Sequence, residues 1–351
     1  MPFSTGSAAK SDATQERIMA PPDRAEARDE FTLIAELFAP LAASAPEALG
    51  LTDDAALYAV RPGHQSILTV DAMVEGVHFL PDDPAEAVAR KLLRVNLSDL
   101  AAKGAVPKGY LLVTAWQSDT DIGWMRSFAA GLAGDQETYG ISLWGGDTVR
   151  TPGPPTFTLT AIGEVPEGQM MHRRGAGVGD GIYVTGTIGD AALGLKVLQG
   201  SLGDLGAAHR DWLRDRYRLP RPRLAAGQGL REIAHAALDV SDGLMADLGH
   251  LCAVSGVGAR IEMARLPLSD AARAALARDA GLIGAIAGGG DDYEILFAAP
   301  PGRGPDIARV AAETQTPIAR IGTILPAAEG VFAVDSDGRP LALKHLGYRH
   351  F

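Results

Sequence analysis

Six aspartates stand inside or at the ends of segments that are otherwise apolar, and they limit what this chain can fold into. Asp99 is the clearest case, because it lies four residues beyond Val95 on the apolar stripe of a predicted helix. A carboxylate that leaves water is tolerated mainly beside a cation, and Mg²⁺ prefers oxygen ligands. The fold is therefore predicted to gather these carboxylates around divalent cations. The six are Asp54, Asp71, Asp99, Asp147, Asp239 and Asp242.

Each aspartate taken alone also has an ordinary structural explanation, since Asp caps helices, starts turns and solvates loops. The segment LDVSDGL (238–244) illustrates both possibilities. Ser241 and Asp242 suit the start of a capped helix, where a negative charge complements the helix dipole. That explanation does not account for Asp239 inside an apolar strand, so a cation site stays open as the alternative.

Three further residues are candidates for binding a phosphorylated ligand. Gly146, in GGDT (145–148), lets a backbone approach a phosphate closely, although the same sequence also makes a simple turn. Arg173 precedes a glycine-rich turn and suits a triphosphate, although exposed arginines are common. His78 follows a predicted strand and is either a substrate contact or a packed loop histidine.

The nucleotide-binding motifs of several common folds are missing from the sequence. GTIGD (186–190) joins a strand to a helix but lacks the spacing of a dinucleotide loop, and GAGVGD (175–180) precedes a strand. Neither a P-loop motif nor the motif set of protein kinases is present. Any ATP bound by this chain is therefore expected to bind by a less common route.

The order of the predicted elements favours two α+β domains over one doubly wound sheet, because paired strands precede helices. Residues 53–60 and 66–72 are predicted as two strands joined by a turn, and residues 85–104 as a helix capped by Asp82 or Asp83. The polar stretch 201–223 is assigned no element. We expect a mobile extension over 1–29, an N-terminal domain over 30–166 and a C-terminal domain over 167–351.

Charge and cysteine content exclude several classes of partner and site. The 43 acidic residues exceed the 32 basic ones and give a net charge of −11, so nucleic acid is not an expected partner. Cys252 is the only cysteine, so neither an intrachain disulfide nor a thiolate metal cluster can form. No apolar run reaches ~18 residues and no secretory signal is recognisable, which predicts a cytoplasmic protein without a membrane partner.

Seven short motifs follow one another along the chain. They are TDDAA (52–56), TVDAMVEGVHF (69–79), NLSDLAAKGA (96–105), GGDT (145–148), LDVSDGL (238–244), GGDDYE (289–294) and GYRHF (347–351). In this order they resemble the motifs of the thiamine-monophosphate kinase family, which belongs to the superfamily of aminoimidazole ribonucleotide synthetase. The resemblance runs from about Glu30 to Phe351 and leaves out only the extension before it.

This resemblance implies two mixed α/β domains, of which the N-terminal sheet domain forms a homodimer. It implies that the γ-phosphate of ATP is transferred to thiamine monophosphate, with the help of several Mg²⁺ ions. The implied metal ligands are Asp54, Thr69, Asp71, Asp99, Asp147, Asp239 and Asp242. The implied ATP-binding residues are Gly146, Asp147, Arg173 and Ser241, and the implied contacts of thiamine monophosphate are His78, Asp291 and Tyr348.

Three positions depart from the pattern of the family. Thr52 stands where glycine is usual, which keeps both following carboxylates. Val70 stands where Ser or Thr is usual, so a side-chain metal contact is lost there. Asp291 replaces the usual Glu and shortens that side chain by one methylene group.

The implied reaction agrees with the physical chemistry of phosphoryl transfer. Transfer between two polyanions needs charge neutralisation and in-line alignment more than a protein nucleophile, and Mg²⁺ held by aspartates supplies both. We therefore expect direct transfer without a phosphoenzyme, and we assign no general base and no nucleophile. The alternatives are another ATP-dependent enzyme of the superfamily, such as aminoimidazole ribonucleotide synthetase, and a non-catalytic nucleotide or metal sensor.

Overall fold

The computed structural model describes residues 30–342 and 347–348, in which helices pack against two β-sheets. The predicted extension 1–29 and the end of the terminal aromatic motif lie outside the described residues. The helices are α1 (Glu30–Leu33), α2 (Ala39–Ala42), α3 (Ala85–Ala102), α4 (Ile122–Tyr139), α5 (Asp190–Leu198), α6 (Ala207–Arg218), α7 (Leu224–Leu230), α8 (Leu244–Ser255), α9 (Asp270–Arg278), α10 (Ile283–Gly288) and α11 (Gly304–Glu313). The strands are β1 (His64–Val74), β2 (Val106–Gln117), β3 (Ser142–Thr151), β4 (Thr156–Pro166), β5 (Gly181–Thr185), β6 (Ala236–Asp239), β7 (Val257–Glu262), β8 (Ile295–Ala299), β9 (Ile318–Pro326), β10 (Val331–Val334) and β11 (Pro340–Leu341).

The first sheet has four strands in the order β1-β4-β2-β3, and only the pair of β2 and β3 is parallel. One face of this sheet, which we call the inner face, packs against α3 and α4. Aromatic rings fill that layer, and the ring centres of Phe128 and Phe157 lie 4.6 Å apart. The outer face carries large apolar side chains that are exposed. They are Leu68, Val70, Leu111, Val113 and Val149.

The second sheet has seven strands in the order β11-β10-β7-β9-β5-β8-β6. Helices α5, α8, α9 and α10 contribute to one apolar core cluster, while α7 and α11 contribute to another. The two sheets with their helices confirm the predicted α+β class in this form. Within the described residues, no helix is both long enough and apolar enough to cross a membrane.

Two predicted features of secondary structure are wrong, and both fail for tertiary reasons. Residues 53–60 form no strand, because this segment bonds elsewhere: the Leu57 amide donates to Glu47 O at 2.9 Å, and the Tyr58 hydroxyl donates to Glu164 at 2.6 Å. Neither Asp82 nor Asp83 caps α3, where Pro84 occupies the N-cap position. The Asp83 carboxylate instead accepts from Arg218 Nε at 2.6 Å.

Helix α6 lies in the polar stretch to which the sequence analysis assigned no element. Its buried positions are Leu213, Arg216 and Tyr217, and it packs mainly against α5. The helix escapes a search for an apolar stripe because one of its three buried side chains is an arginine, which the fold neutralises through a distant carboxylate.

Candidate active site

A cleft of about 520 Å³ lies between the inner side of the first sheet and the loops that precede α8 and β8. Residues from distant parts of the sequence meet there, since β1 and α3 belong to the first half of the chain and the loops to the second. Six predicted site residues line the cleft. They are Asp71, His78, Ser241, Asp242, Asp291 and Tyr348.

Asp71 and Thr69 point to the inner face of β1, toward α3, because side chains alternate along a strand. The Thr69 hydroxyl donates a hydrogen bond to the Asp99 carboxylate, and the Asp71 amide donates to Asn96 Oδ1 at 3.1 Å. Burial raises the pKa of Asp71 to about 6, with further contributions from the negative charges of Asp99 and Asp242. The predicted placement of Asp99 on an inward-facing helix side therefore brings three carboxylates into electrostatic contact.

Asp239 joins this carboxylate group from the end of β6. Its carboxylate accepts a hydrogen bond from the Ser98 hydroxyl at 2.7 Å, which ties α3 to the second sheet. Burial raises the pKa of Asp239 well above its usual range, and the charge of Asp99 raises it further. Burial also lowers the pKa of Lys103. The negative charge of Asp239 opposes this shift, and the positive charge of Arg173 reinforces it. Arg173 is thus near enough to Lys103 to act on its charge.

The loop from Ser241 to Gly243 is held by a carboxylate that the sequence analysis did not single out. Asp247 Oδ2 accepts from the amides of Ser241, Asp242 and Gly243 at 3.1, 3.0 and 3.1 Å. Gly243 occupies the N-cap of α8, so the interpretation of Ser241 as a helix cap is wrong. Gly243 has φ +122°, and a Cβ atom there would lie 2.7 Å from Gly288 O. Close packing of the two cleft loops therefore requires glycine.

The loop GGDDYE carries one carboxylate that lines the cleft and two carboxylates that stabilise the fold. Asp291 has φ +71°, its amide donates to Ser241 O at 2.8 Å, and its carboxylate accepts from Lys91 Nζ at 2.9 Å. Asp292 accepts from the Gly189 amide at 2.7 Å, at the start of α5. Glu294 is fully buried among arginine side chains. The motif therefore combines a cleft carboxylate with structural ones.

His78 and Tyr348 are held at the cleft by hydrogen bonds to backbone groups. His78 Nδ1 accepts from the Val74 amide at 3.0 Å, which leaves the ring proton on Nε2 when the imidazole is neutral. The Tyr348 amide donates to Asp242 O at 2.9 Å, and half of its side chain is exposed. These bonds connect the predicted substrate contacts to β1 and to the Asp242 loop.

Seven predicted site residues are not among those that line the cleft. Thr69, Asp99 and Asp239 belong to the carboxylate group described above, and the other four lie elsewhere. Asp54 lies in an exposed loop, and Arg173 lies near Lys103. Asp147 pairs in register with Val113 on the outer face of the first sheet, opposite to the face that carries Asp71. Gly146 is explained by strand packing, because a Cβ atom there would lie 1.8 Å from Leu112 O.

Two buried polar residues of α3 were missed in the sequence analysis. Lys91 lines the cleft and pairs with Asp291, and Ser98 holds Asp239. A signal for Lys91 was present, since it precedes Val95 by four residues and Asp99 by eight, which places all three on one side of the helix. Charged residues at both ends of that stripe indicate that this buried side of the helix also carries polar contacts.

The side chains at the carboxylate group suit divalent cations in their chemistry. Across residues 30–342 and 347–348, no three His, Cys, Asp or Glu side chains converge closely enough to hold a metal ion by themselves. The carboxylates act on each other in pairs instead, with Asp99 raising the pKa of both Asp71 and Asp239. Mg²⁺ at phosphate sites is commonly held by one or two carboxylates together with phosphate oxygens. The pairs present here fit that mode of binding.

Comparison with known proteins yields consistent matches over most of the chain. The family described as AIR synthase related protein, N-terminal domain, matches residues 52–165, and the corresponding C-terminal domain matches residues 177–335. The thiamine-monophosphate kinase of Caulobacter vibrioides is 44% identical over 324 residues, which are 92% of this chain and 90% of that protein.

Solved structures give the same result. The crystal structure of thiamine-monophosphate kinase from Stenotrophomonas maltophilia K279a superposes with a TM-score of 0.78 at 39% identity and covers 86% of this chain and 95% of that one. AaThiL complexed with AMPPCP and TMP superposes with a TM-score of 0.73 at 30% identity and covers 84% of this chain and 89% of that one. The likeness therefore includes a relative that holds a nucleotide analogue and TMP together.

Proposed function

Because the chain belongs to the thiamine-monophosphate kinases of the AIR synthase-related family, we propose that it phosphorylates thiamine monophosphate with ATP, giving thiamine diphosphate and ADP. The observation that carries the proposal is the cleft, in which carboxylates from β1 and from the Asp242 loop meet polar residues from the GGDDYE loop. A relative of the same fold binds AMPPCP and TMP, which are chemically a nucleotide analogue and a phosphorylated acceptor.

The cleft supports direct in-line transfer between the two substrates. The acceptor is a phosphate that is already ionised near neutral pH, so no side chain needs to remove a proton, and we assign neither a base nor a nucleophile. Mg²⁺ ions would neutralise the two polyanions and align them. The task of the protein is then to orient the acceptor and to hold the carboxylates that receive the ions.

The individual roles of the site residues are proposals that follow the family pattern. Metal ions would be held by Asp54, Thr69, Asp71, Asp99, Asp147, Asp239 and Asp242. ATP would contact Gly146, Asp147, Arg173 and Ser241, and thiamine monophosphate would contact His78, Asp291 and Tyr348. The hydrogen bond between Thr69 and Asp99 supports a shared role for these two residues.

We also propose that the chain divides into domains at 30–166 and 167–351 and forms a homodimer through its first sheet. The exposed apolar outer face of that sheet supports this, because a contiguous apolar surface is commonly covered by a partner. Asp147 lies on the outer face, so this contact would bring it next to the partner subunit. A cytoplasmic location stays a prediction from the sequence.

The proposed reaction is tested directly with the purified full chain. Incubation with ATP, Mg²⁺ and thiamine monophosphate is expected to yield thiamine diphosphate and ADP, separated by chromatography, and EDTA is expected to stop it until Mg²⁺ is restored. Formation of AMP, or turnover of the amidine precursor of aminoimidazole ribonucleotide in place of thiamine monophosphate, would contradict the assignment. Labelled phosphate trapped on the protein after ATP alone would contradict direct transfer.

The homodimer is tested by placing a charge on the outer face. Val113→Glu puts a carboxylate beside Asp147 in the middle of that face and is expected to convert the dimer to a monomer in light scattering after size exclusion. Val254→Glu, at a side chain of α8 that is 55% exposed, is the control and should leave the oligomeric state unchanged. A wild-type chain that runs as a monomer at all concentrations refutes the dimer.

A further inference from the structure

Lys91 is a buried lysine in the cleft, and its surroundings give it a task that the family pattern does not assign. Its side chain is 3% exposed, although lysine is almost never buried unless it is paired. We propose that Lys91 is a positioning residue for the acceptor substrate, because it joins the turn that carries His78 to the loop that carries Asp291. This inference rests on the proposed function and adds a residue to it.

The contacts of the Lys91 ammonium group are directional. Nζ donates to His78 O at 3.0 Å and to Asp291 Oδ2 at 2.9 Å. It also lies 3.8 Å from the centre of the Tyr217 ring, whose hydroxyl is 3.5 Å from the same His78 carbonyl. An ammonium group has three protons, and these contacts give it two hydrogen bonds and one aromatic face. Its charge is therefore engaged by groups of the protein.

The two residues that Lys91 joins are otherwise anchored to separate parts of the fold. His78 is held by the Val74 amide at the end of β1. The Asp291 amide is held by Ser241 O, in the loop before α8. Asp291 has a φ of +71°, which residues other than glycine rarely adopt. Lys91, from α3, thus connects a turn of the first half of the chain to a strained loop of the second half. Its loss would let the two acceptor contacts move apart.

Asp291 explains why this connection affects the acceptor and not ATP. The family pattern assigns Asp291 and His78 to thiamine monophosphate. Of the residues that it assigns to ATP, only Ser241 lines the same cleft, and Ser241 is bonded to the backbone of Asp291 and not to the carboxylate that Lys91 holds. The Asp291 carboxylate is one methylene shorter than the usual Glu, so its position depends more on the group that holds it. Lys91 is the charged group that donates to that carboxylate, beside a hydrogen bond from the buried Tyr293 hydroxyl.

The test compares steady-state kinetics for both substrates in Lys91→Met, which keeps the length and the apolar stem but removes the charge. We expect the KM for thiamine monophosphate to rise about tenfold, the size of one lost charge-assisted hydrogen bond. The KM for ATP should stay within about twofold of the wild type, since the contacts of the Lys91 ammonium group include none of the residues assigned to ATP. Lys108→Met, at a lysine that lies 3.5 Å from Glu164 and outside the cleft, is the matched control.

A double-mutant cycle with Asp291→Asn separates positioning from a general effect on the fold. If Lys91 acts through Asp291, then Lys91→Met raises the KM for thiamine monophosphate by less than about threefold in the Asp291→Asn background. Additive effects, an unchanged KM for thiamine monophosphate, or a parallel rise in the KM for ATP each overturn the inference. Should Lys91→Met fail to fold, Lys91→Gln, which can still donate to His78 O, enters the same cycle with the same criteria. A wild-type chain that makes no thiamine diphosphate would refute the proposed function itself.

Discussion

Asp99→Asn is expected to lower kcat by about 100- to 1,000-fold while the chain stays folded. The charge of Asp99 acts on two other carboxylates of the group, since it raises the pKa of both Asp71 and Asp239. An amide of the same size can still accept the hydrogen bond of Thr69, but it carries no charge to offer a cation. The change therefore removes charge from the site without removing volume from the core.

The stability of Asp99→Asn should move in the opposite direction to its activity. Three carboxylates that repel one another without a cation destabilise the folded chain, so removing one charge should leave the melting temperature equal or higher in EDTA. Activity at saturating substrates, the Mg²⁺ dependence of that activity and a thermal melt give the full comparison, with Asp71→Asn as a second variant. Asp270→Asn, at a side chain that is 91% exposed, serves as the control and should change neither quantity. Near-normal turnover in both Asp71→Asn and Asp99→Asn would refute the metal-ligand assignment.

The position of Asp99 was predictable because it depends only on helical spacing. A helix from residue 85 with Val95 on its buried side must also turn Asp99 inward, whatever the rest of the fold does. The prediction that Asp71 lies near Asp99 also required that β1 approaches α3. The order of motifs shared with the thiamine-monophosphate kinase family implied that approach. Local periodicity was thus sufficient to predict the part of the site that lies on one helix and its neighbouring strand.

The orientation of Asp147 could not be predicted in the same way. It depends on the register between β2 and β3, which shifts by one residue at Trp144. A shift of one residue turns every later side chain of a strand to the other face. Gly145 and Gly146, the two glycines of GGDT, are compatible with either register, so only the paired strands decide that Asp147 and Asp71 lie on opposite faces.

Helix α6 and the Lys91 contact were missed for a related reason. A charged residue can lie on the buried side of a helix when it pairs with a charge that is distant in the sequence. Arg216 belongs to the buried side of α6 because Glu294, 78 residues later, neutralises it. Lys91 belongs to the buried side of α3 because Asp291 does the same from 200 residues away. A pattern that counts every Arg and Lys as exposed misses α6 and leaves Lys91 out of the buried side of α3.

Glu294→Gln is expected to lower the free energy of unfolding by about 3–5 kcal/mol, which is the cost of breaking a buried ion pair on one side. The Glu294 carboxylate accepts from Arg216 at 3.1 Å, from Arg223 at 2.7 and 2.6 Å, and from the Thr185 hydroxyl at 2.7 Å. The side chains of Glu294 and Arg216 are 0% and 2% exposed, so water cannot replace the lost charge. Two guanidinium groups would then share a buried site with a neutral amide, which cannot repay their desolvation.

The exposed pair of α11 provides the matched control for this prediction. Glu313 contacts Arg309 at 3.0 Å, the same chemistry at a side chain that is 59% exposed, and Glu313→Gln should change the unfolding free energy by less than about 1 kcal/mol. Urea unfolding followed by circular dichroism measures both variants. Equal effects of the two substitutions would mean that the buried network contributes no more than a surface pair. Because Glu294 lies three residues after Asp291, a large loss of stability with unchanged KM values at low temperature would separate the structural half of the GGDDYE motif from its substrate half.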